Sequence, residues 1–149
     1  MQRFTNRTVI VTGSSSGIGE AIALRFASEG ANVVLNSRSR EDLEKVAADL
    51  DDARTLIVDG DVSSADFARE IVAKTVDRFG GLDVLCNNAG TATAGPLADA
   101  SDDDIDSVID INVKGVLNLC RAAIPHLAKS DAPGGGSIVN TSSVSGIGG

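Results

Sequence analysis

A nine-residue stretch near the amino terminus, VTGSSSGIG, combines three glycines with three serines. Glycines in a turn leave backbone N–H groups exposed, and serine hydroxyls add further hydrogen-bond donors. If the turn joins a strand to a helix, these N–H groups and the positive end of the helix dipole converge on one position, which suits a phosphate or pyrophosphate. The stretch therefore predicts an anion site, and the alternative interpretation is an ordinary flexible loop.

The residues of this stretch are expected to have separate roles. Gly13 permits the tight turn, Gly17 lets a ligand approach the backbone, and Gly19 lets the helix pack closely on the strand. The three serine hydroxyls, from Ser14 to Ser16, are expected to donate hydrogen bonds. The predicted phosphate-site residues are Gly13, Ser15, Ser16, Gly17, Ile18 and Gly19.

The elements that must position this site alternate along the chain. Short β-branched runs such as TVIVT and NVVLN suit strands buried in a sheet, and the segments between them carry apolar residues at helical spacing. We expect strands within 8–12, 32–36, 54–62, 82–90 and 136–143, and helices within 17–30, 39–50, 63–81 and 101–130. This alternation predicts an α/β fold with a doubly wound parallel sheet, in a single domain over 1–149.

Several helix ends have recognisable signals. Ser39 is expected to cap the second helix, and Ser63 or Ser64 the third. The five aspartates of DASDDDID lie where the long fourth helix begins, so we interpret them as favourable helix-start charges and predict no metal site. Apolar residues wrap widely around this helix and suggest burial on two sides; they are Val108, Ile109, Val113, Val116, Leu117, Cys120 and Ile124.

Composition narrows the classes of function. The net charge of −8 indicates no nucleic-acid partner, and no apolar run has the length of a membrane span or the pattern of a signal peptide. Cys86 and Cys120 lie far apart in apolar segments and are expected to be reduced thiols of a cytoplasmic protein. The single histidine, His126, lies late in the long helix without an adjacent Asp or Cys, and it is interpreted as a surface or hydrogen-bonded helical residue and not as a catalytic one.

Several motifs in consistent order resemble the short-chain dehydrogenase/reductase family. TGSSSGIG resembles its TGxxxGxG turn, NNAG its motif after the fourth strand, NVKG the segment with its helix asparagine, and SIVNTSS the strand with its catalytic serine. Asp61 and Val62 resemble its adenine-contacting pair. The resemblance covers essentially all 149 residues. It implies a Rossmann-type sheet, incomplete at five strands, with helices on both faces, and a homo-oligomer whose interface includes the long helix.

The NNAG motif adds three residues to the predicted cofactor site, namely Asn88, Ala89 and Gly90. Asn88 is expected to form hydrogen bonds across neighbouring strand ends and to the cofactor ribose. Gly90 is expected to lie where the chain leaves the sheet sharply beside the cofactor. By itself, a turn of Asn and Gly would be an equally good interpretation of this motif.

The end of the second strand, LNSRSR, indicates which cofactor is bound. Ser37 stands where NAD-binding family members usually carry Asp, Arg38 follows it, and no carboxylate occurs until Glu41. A hydroxyl and a guanidinium suit the 2′-phosphate of NADP(H), which the resemblance therefore implies. NAD(H) remains the alternative, because Ser16 stands where many NADP-binding members carry Lys or Arg, and Arg38 could instead be a solvated turn charge.

The resemblance also implies catalytic roles in hydride transfer to or from a carbonyl or alcohol substrate. Ser143 matches the family's substrate-orienting serine, with Ser142 as the alternative, and Asn112 matches the asparagine that supports a proton relay. The family's YxxxK tyrosine and lysine would fall beyond Gly149, and the sequence contains no tyrosine. We therefore expect these residues to be an inactive amino-terminal part of such an oxidoreductase; the alternative is a non-catalytic nucleotide-binding or interaction module.

Overall fold

The computed structural model describes residues 2–144; the predicted domain over 1–149 also includes residue 1 and residues 145–149, which lie outside this range. Five strands form one parallel sheet in the order β3-β2-β1-β4-β5. They are β1 (Thr8–Thr12), β2 (Asn32–Asn36), β3 (Thr55–Ile57), β4 (Val84–Asn87) and β5 (Ser137–Asn140). The strand order reverses at β1, which pairs with β2 on one side and β4 on the other. The predicted doubly wound parallel sheet is confirmed.

Helices connect the strands and begin and end within the predicted ranges. They are α1 (Gly17–Ser28), α2 (Arg40–Ala47), α3 (Ala65–Phe79), α4 (Asp102–Ile109) and α5 (Val116–Leu127). Ser39 caps α2 by accepting from Asp42 N, and Ser64 rather than Ser63 caps α3 by accepting from Phe67 N. These caps form as expected because each one depends on residues close together in sequence.

The predicted long helix over 101–130 is interrupted. A π-helical segment, Asp110–Gly115, lies between α4 and α5 and makes one wide turn. Gly115 at its end packs against Val62, where an added Cβ would lie 3.0 Å from Val62 Cγ2. Asn112 in its middle forms hydrogen bonds with the loop after β4. The wide turn thus coincides with two tertiary contacts that helical periodicity does not reveal.

The core consists of two apolar layers on opposite faces of the sheet. Side chains alternate along β1, so Val9 and Val11 pack toward α1 and α2 while Ile10 packs toward α3 and α5. Cys86 belongs to the layer that contains Val9 and Val11, and its burial raises the pKa of the thiol to about 11. Cys86 and Cys120 are both free thiols.

Burial on two sides of the long helix, against the sheet and against another helix, was expected. The carboxyl-terminal part, α5, does pack against β4 and α3, but several of the residues named for that burial are exposed. Leu119 and Leu127 are buried against the sheet layer. The opposite side carries an apolar stripe whose members are 42–63% exposed: Ile105, Ile109, Val113, Leu117 and Ile124. The apolar pattern therefore exceeds what residues 2–144 cover.

A buried carboxylate joins the amino-terminal segment to the end of α1. Glu29 is 4% exposed and accepts from Arg3 Nη2 at 2.6 Å and Arg25 Nε at 2.7 Å. The segment is also held by a hydrogen bond from Phe4 N to Glu29 O and by an edge-to-face contact of Phe4 with Phe26. Hydrogen bonds from Arg3 and then Arg25 lower the pKa of Glu29 to about 2.

Glu29 is therefore expected to contribute to stability in a pH-dependent way. A carboxyl whose pKa falls from 4.5 to about 2 on folding stabilises the protein fully above about pH 4.5, and this contribution is lost as the pH falls toward 2. We expect Glu29→Gln to lower the melting temperature at pH 7, with the difference from the parent shrinking below about pH 4.5. Thermal unfolding followed by circular dichroism would measure this.

The matched control is Glu20→Gln on the same helix, because Glu20 forms no ion pair with the residues described. This control should leave the melting temperature at pH 7 within about 1 °C of the parent. A Glu29→Gln deficit that stays constant from pH 7 to pH 2 would contradict the assignment of the stabilising charge to Glu29.

Candidate functional site

The glycine-rich turn packs closely between β1 and α1. An added Cβ on Gly13 would lie 2.9 Å from Ala89 Cα, and one on Gly19 would lie 2.1 Å from Gly13 O. Gly13 and Gly17 both have a φ in the left-handed region, +64° and +57°, but Gly17 differs because the space beside it is open. Two glycines therefore permit close packing of the turn and helix, and the third has the backbone conformation and the open side that a ligand would use.

The amino terminus of α1 lacks the side-chain cap that α2, α3 and α4 have. Ser39, Ser64 and Ser101 each accept a hydrogen bond from the first turn of their own helices. Ser16 occupies the equivalent position before α1 and makes no such bond among the described residues. Since first-turn N–H groups have no intrahelical acceptor, the positive end of α1 remains available to an external anion.

Ser14 does not face the ligand side of the turn. It is fully buried, its Oγ accepts from Asn36 N at 2.9 Å, and its N donates to Asn36 O at 2.9 Å. The expectation that all three serines donate to a ligand is therefore wrong for Ser14, whose hydroxyl cross-links β1 and β2. Ser15 and Ser16 line the open side.

A cleft of about 580 Å³ lies at the carboxyl ends of β1, β2 and β4, where the strand order reverses. All predicted cofactor-site residues except Gly19, which lies beneath the turn, line this cleft: Gly13, Ser15, Ser16, Gly17, Ile18, Ser37, Arg38, Asp61, Val62, Asn88, Ala89 and Gly90. Sequence reasoning missed Asn36, Ser39, Gly60, Thr91, Ile111 and Thr141. Most of these residues adjoin a predicted one or end a strand, and that is the signal by which they could have been found.

Two arginines follow β2, and only one of them faces the cleft. Arg38 is exposed, lines the cleft and forms no ion pair with any residue the structure describes. Arg40 instead pairs with Asp59 at 2.8 Å and Glu44 at 3.0 Å. The Ser37 hydroxyl donates to Ser39 O at 3.1 Å, so in this conformation its proton is already used. The available cationic donor here is Arg38.

The segment after β3 contributes a carboxylate and an apolar side chain. Asp61 is exposed, and its Oδ1 accepts from Ser63 N at 2.9 Å, which holds the carboxylate in place. Val62 is buried and packs into the layer containing α3 and α5. Together they form one wall of the cleft.

Asn88 connects the glycine-rich turn to the end of β5. Its Nδ2 donates to Thr12 O at 3.3 Å and Gly13 O at 3.4 Å. Thr141 Oγ1 donates to Asn88 Oδ1 at 3.1 Å, and Thr12 Oγ1 accepts from Asn88 N at 3.0 Å. The expected hydrogen bonds across neighbouring strand ends are present, and they place the end of β5 beside the cleft.

Asn112 lies next to the cleft and does not line it. Its Oδ1 accepts from Thr91 N and its Nδ2 donates to Thr91 O, both at 2.8 Å. Thr91 itself lines the cleft, directly after the NNAG motif. The π-helical segment therefore holds the backbone of this loop through one side-chain amide.

The two candidate serines follow β5. Ser142 and Ser143 are both exposed, and they come directly after Thr141, which lines the cleft. Neither serine is part of the lining. The structure places both near the open end of the site and leaves the choice between them to experiment.

Other sequence features are also located. Asp104 and Ser101 form a reciprocal capping box at the start of α4, which accounts for part of the acidic cluster. Within residues 2–144, no three metal-binding side chains are grouped to hold an ion. No helix in that range combines the length and hydrophobicity needed to cross a membrane.

The family model described as short chain dehydrogenase matches residues 7–149. The chain belongs to the short-chain dehydrogenase family. Two curated family members illustrate the similarity. Over 147 residues, 99% of this chain, it is 42% identical to a meso-2,3-butanediol dehydrogenase of Serratia marcescens. Over 141 residues it is 50% identical to a putative ketoacyl reductase 2 of the granaticin polyketide synthase of Streptomyces violaceoruber.

Solved structures of short-chain dehydrogenases have the same fold. One from Brucella melitensis, described as a glucose/ribitol dehydrogenase, superposes over 99% of this chain with a TM-score of 0.90 and 43% identity. Another, from Burkholderia cenocepacia in complex with NADP, covers 95% with a TM-score of 0.86 and 38% identity. This chain spans 57% and 55% of the two curated relatives, and 61% and 57% of the two solved chains.

Proposed function

We propose that these residues form the NADP(H)-binding part of an oxidoreductase acting on a carbonyl or hydroxyl group of a small molecule. One observation carries the proposal. A single cleft joins the uncapped amino terminus of α1 to the end of β2, where Arg38 lacks an acidic partner among the described residues. This arrangement offers two anion-binding positions at opposite ends of one site, as a phosphorylated dinucleotide requires.

The pyrophosphate would lie against the turn from Gly13 to Gly17. The first-turn N–H groups of α1 would donate to its oxygens, helped by the hydroxyls of Ser15 and Ser16. The open space beside Gly17 leaves room for this approach. The residues present therefore fit a dinucleotide, and Ile18 and Gly19 complete the turn beneath it.

The adenosine end would lie between β2 and the segment after β3. Asp61 and Val62 would contact the adenine, and Arg38 would bind the 2′-phosphate in a charge-assisted contact. The NADP complex of the Burkholderia relative supports this preference. NAD(H) is the alternative, which cofactor titration decides.

The reaction chemistry would take place at the other end, near β4 and β5. Bound NADP(H) supplies or accepts the hydride. Ser143, with Ser142 as the alternative, would donate a hydrogen bond to the substrate oxygen, while Asn112 would hold the loop at Thr91 in place. A serine hydroxyl is too weak an acid to supply the proton, so we assign this step to the family's tyrosine and lysine, in the part of the relatives that this chain does not span.

The same proposal includes a homo-oligomer in the cytoplasm. Among the described residues nothing covers the apolar stripe from Ile105 to Ile124, and a second copy presenting the same stripe would bury it. The free thiols of Cys86 and Cys120 are consistent with a reducing compartment. With a net charge of −8, no nucleic-acid partner is expected.

Replacing Arg38 tests the cofactor assignment. We expect Arg38→Ala to weaken NADPH binding by about 10- to 100-fold, because one charge-assisted contact to the 2′-phosphate is lost. NADH binding should change by less than about twofold, because NADH has no such phosphate. Fluorescence titration of both reduced cofactors would measure these dissociation constants.

Arg40→Ala is the matched control, since it removes a neighbouring guanidinium already paired with Asp59 and Glu44. It should leave the NADPH affinity within about threefold of the parent. Equal affinities of the parent for NADPH and NADH would overturn the preference for NADP(H), as would an Arg38→Ala variant that binds NADPH normally.

Replacing Leu117 tests the oligomer. This side chain is 63% exposed at the centre of the stripe. We expect Leu117→Asp to raise the dissociation constant of the oligomer at least about tenfold, because a twofold interface would contain the buried charge twice. Sedimentation equilibrium would report the change. Leu97→Asp, at an 80% exposed leucine outside the stripe, should have no effect on it; a parent chain monomeric at high concentration would refute the interface.

A further inference from the structure

Asn36 connects three segments of the cleft through one residue. It is the last residue of β2 and is 1% exposed. Its backbone N and O bond Ser14 of the glycine-rich turn, at 2.9 Å each. Its side-chain Nδ2 donates to Val58 O at 3.0 Å and to Gly60 O at 3.3 Å, in the segment after β3.

The two side-chain hydrogen bonds of Asn36 form beyond the end of the backbone pairing between β2 and β3. β3 stops at Ile57, and its paired residues reach only Leu35 on β2. Beyond that point, backbone bonds from Val58 N to Leu35 O and from Gly60 N to Ser37 O continue the contact. The Asn36 amide adds two further bonds to the same short segment.

Gly60 is also confined from its other side. An added Cβ there would lie 2.1 Å from the ring of Phe67, so the backbone is pressed against α3. Between that ring and the Asn36 amide, Gly60 has little freedom to move. Asp61 and Val62 follow directly, and all three line the cleft.

The orientation of the amide is determined by its surroundings. A 180° rotation would point Oδ1 at two carbonyl oxygens, which cannot donate. In the orientation observed, Oδ1 is buried and has no hydrogen-bond partner among the described residues. Such orphaned acceptors are rare in native interiors and call for an explanation. Oδ1 is left without a partner because the amide is oriented so that Nδ2 bonds two carbonyls. Asn36 also lines the cleft.

We propose that Asn36 is a positioning residue for the adenosine half of the dinucleotide. Its amide sets the distance between the glycine-rich turn and the segment from Gly60 to Val62, and so the width of the adenosine end of the cleft. This inference rests on the proposed dinucleotide function. The side-chain N–H groups of Asn36 would not bond the phosphate or the adenine, because both already donate to backbone carbonyls. Asn36 would therefore act on the cofactor only through the segment that it holds.

The test uses adenosine 2′,5′-bisphosphate, which represents the adenosine half alone. We expect Asn36→Ala to raise its dissociation constant about tenfold in calorimetric titration, because the wall of the cleft loses its fixed position. Amide hydrogen exchange from Val58 to Val62 should accelerate at the same time. Exchange in the central residues of β1 and β4 should remain that of the parent, which a general loss of stability would not allow.

Asn32→Ala is the matched control, at the opposite end of the same strand. Asn32 Nδ2 donates to Thr8 Oγ1 at 3.3 Å, far from the cleft lining. This variant should bind the bisphosphate within about twofold of the parent. If Asn36→Ala does not fold, Asn36→Ser, which keeps one donor, takes its place.

The outcomes distinguish failure of the proposed dinucleotide function from failure of the positioning role of Asn36. A parent chain that does not bind adenosine 2′,5′-bisphosphate refutes the proposed function, and this inference with it. A parent that binds, together with a folded Asn36 variant of unchanged affinity or with accelerated exchange throughout the sheet, refutes this inference alone. If neither variant folds, the side-chain amide protons of Asn36 in the parent decide by NMR: the ligand should slow their exchange, and no change overturns the proposal.

Discussion

Replacing Gly19 with alanine is expected to abolish NADPH binding and to lower the free energy of unfolding by about 1–3 kcal/mol. An added Cβ would lie 2.1 Å from Gly13 O and 2.6 Å from Asn88 Nδ2. The first of these atoms belongs to the backbone and cannot rotate away, so α1 must shift relative to the turn. The shift would displace the first-turn N–H groups that the proposal aims at the pyrophosphate, and we expect at least a hundredfold loss of affinity.

Gly81→Ala provides the control for the Gly19 prediction. Gly81 has nothing within 4 Å of an added Cβ, and its φ lies outside the left-handed region. This variant should change the free energy of unfolding by less than about 0.5 kcal/mol and leave NADPH affinity unchanged. Denaturant unfolding and fluorescence titration measure the two quantities. Parental affinity and stability in Gly19→Ala would show that the turn is not packed as described.

The second large effect is expected on catalysis, in a protein of the relatives' full length. A chimera that joins this chain to the carboxyl-terminal remainder of the Brucella melitensis relative would supply that length. In this chimera, Ser143→Ala should lower kcat for carbonyl reduction by about 10²–10³-fold, because a donor to the developing negative charge is removed. NADPH affinity should stay near the parental value, since Ser143 lies outside the lining of the cleft.

Ser142→Ala is the built-in comparison for this prediction. It removes the hydroxyl of another exposed serine one residue away and should lower kcat by less than about fivefold. Stopped-flow measurement of NADPH oxidation would separate the chemical step from product release. If Ser142→Ala has the large effect and Ser143→Ala the small one, the roles of the two serines are exchanged. The 149 residues without the added segment should show no turnover, because they include no tyrosine to deliver the proton.

Features that depend on neighbours in sequence could be predicted from the sequence. The five parallel strands and the strand-turn-helix context of the glycine-rich turn follow from local apolar patterns and turn residues. The caps at Ser39 and Ser64 likewise involve residues three positions apart. Because parallel strands end at a common edge, the motifs that follow them had to meet there, and most of the predicted site residues do line one cleft.

Only the tertiary structure decided which polar groups pair with partners that are distant in sequence. Nothing local separates Ser14, buried against Asn36, from Ser15 and Ser16, which face the cleft. In the same way, the sequence does not reveal that Asp59 binds Arg40 and leaves Arg38 available to a ligand.

The wide π-helical turn and the exposed apolar stripe on α4 and α5 also depend on contacts between elements that are distant in sequence. Asn112 forms hydrogen bonds with Thr91, 21 residues away in sequence, and no part of the described chain covers the apolar stripe through Leu117. Hydrophobic periodicity reports which side chains avoid water, and it does not report which surface covers them. Hydrogen bonds and apolar contacts of this range depend on how the folded elements are placed, and that placement is a property of the whole sheet.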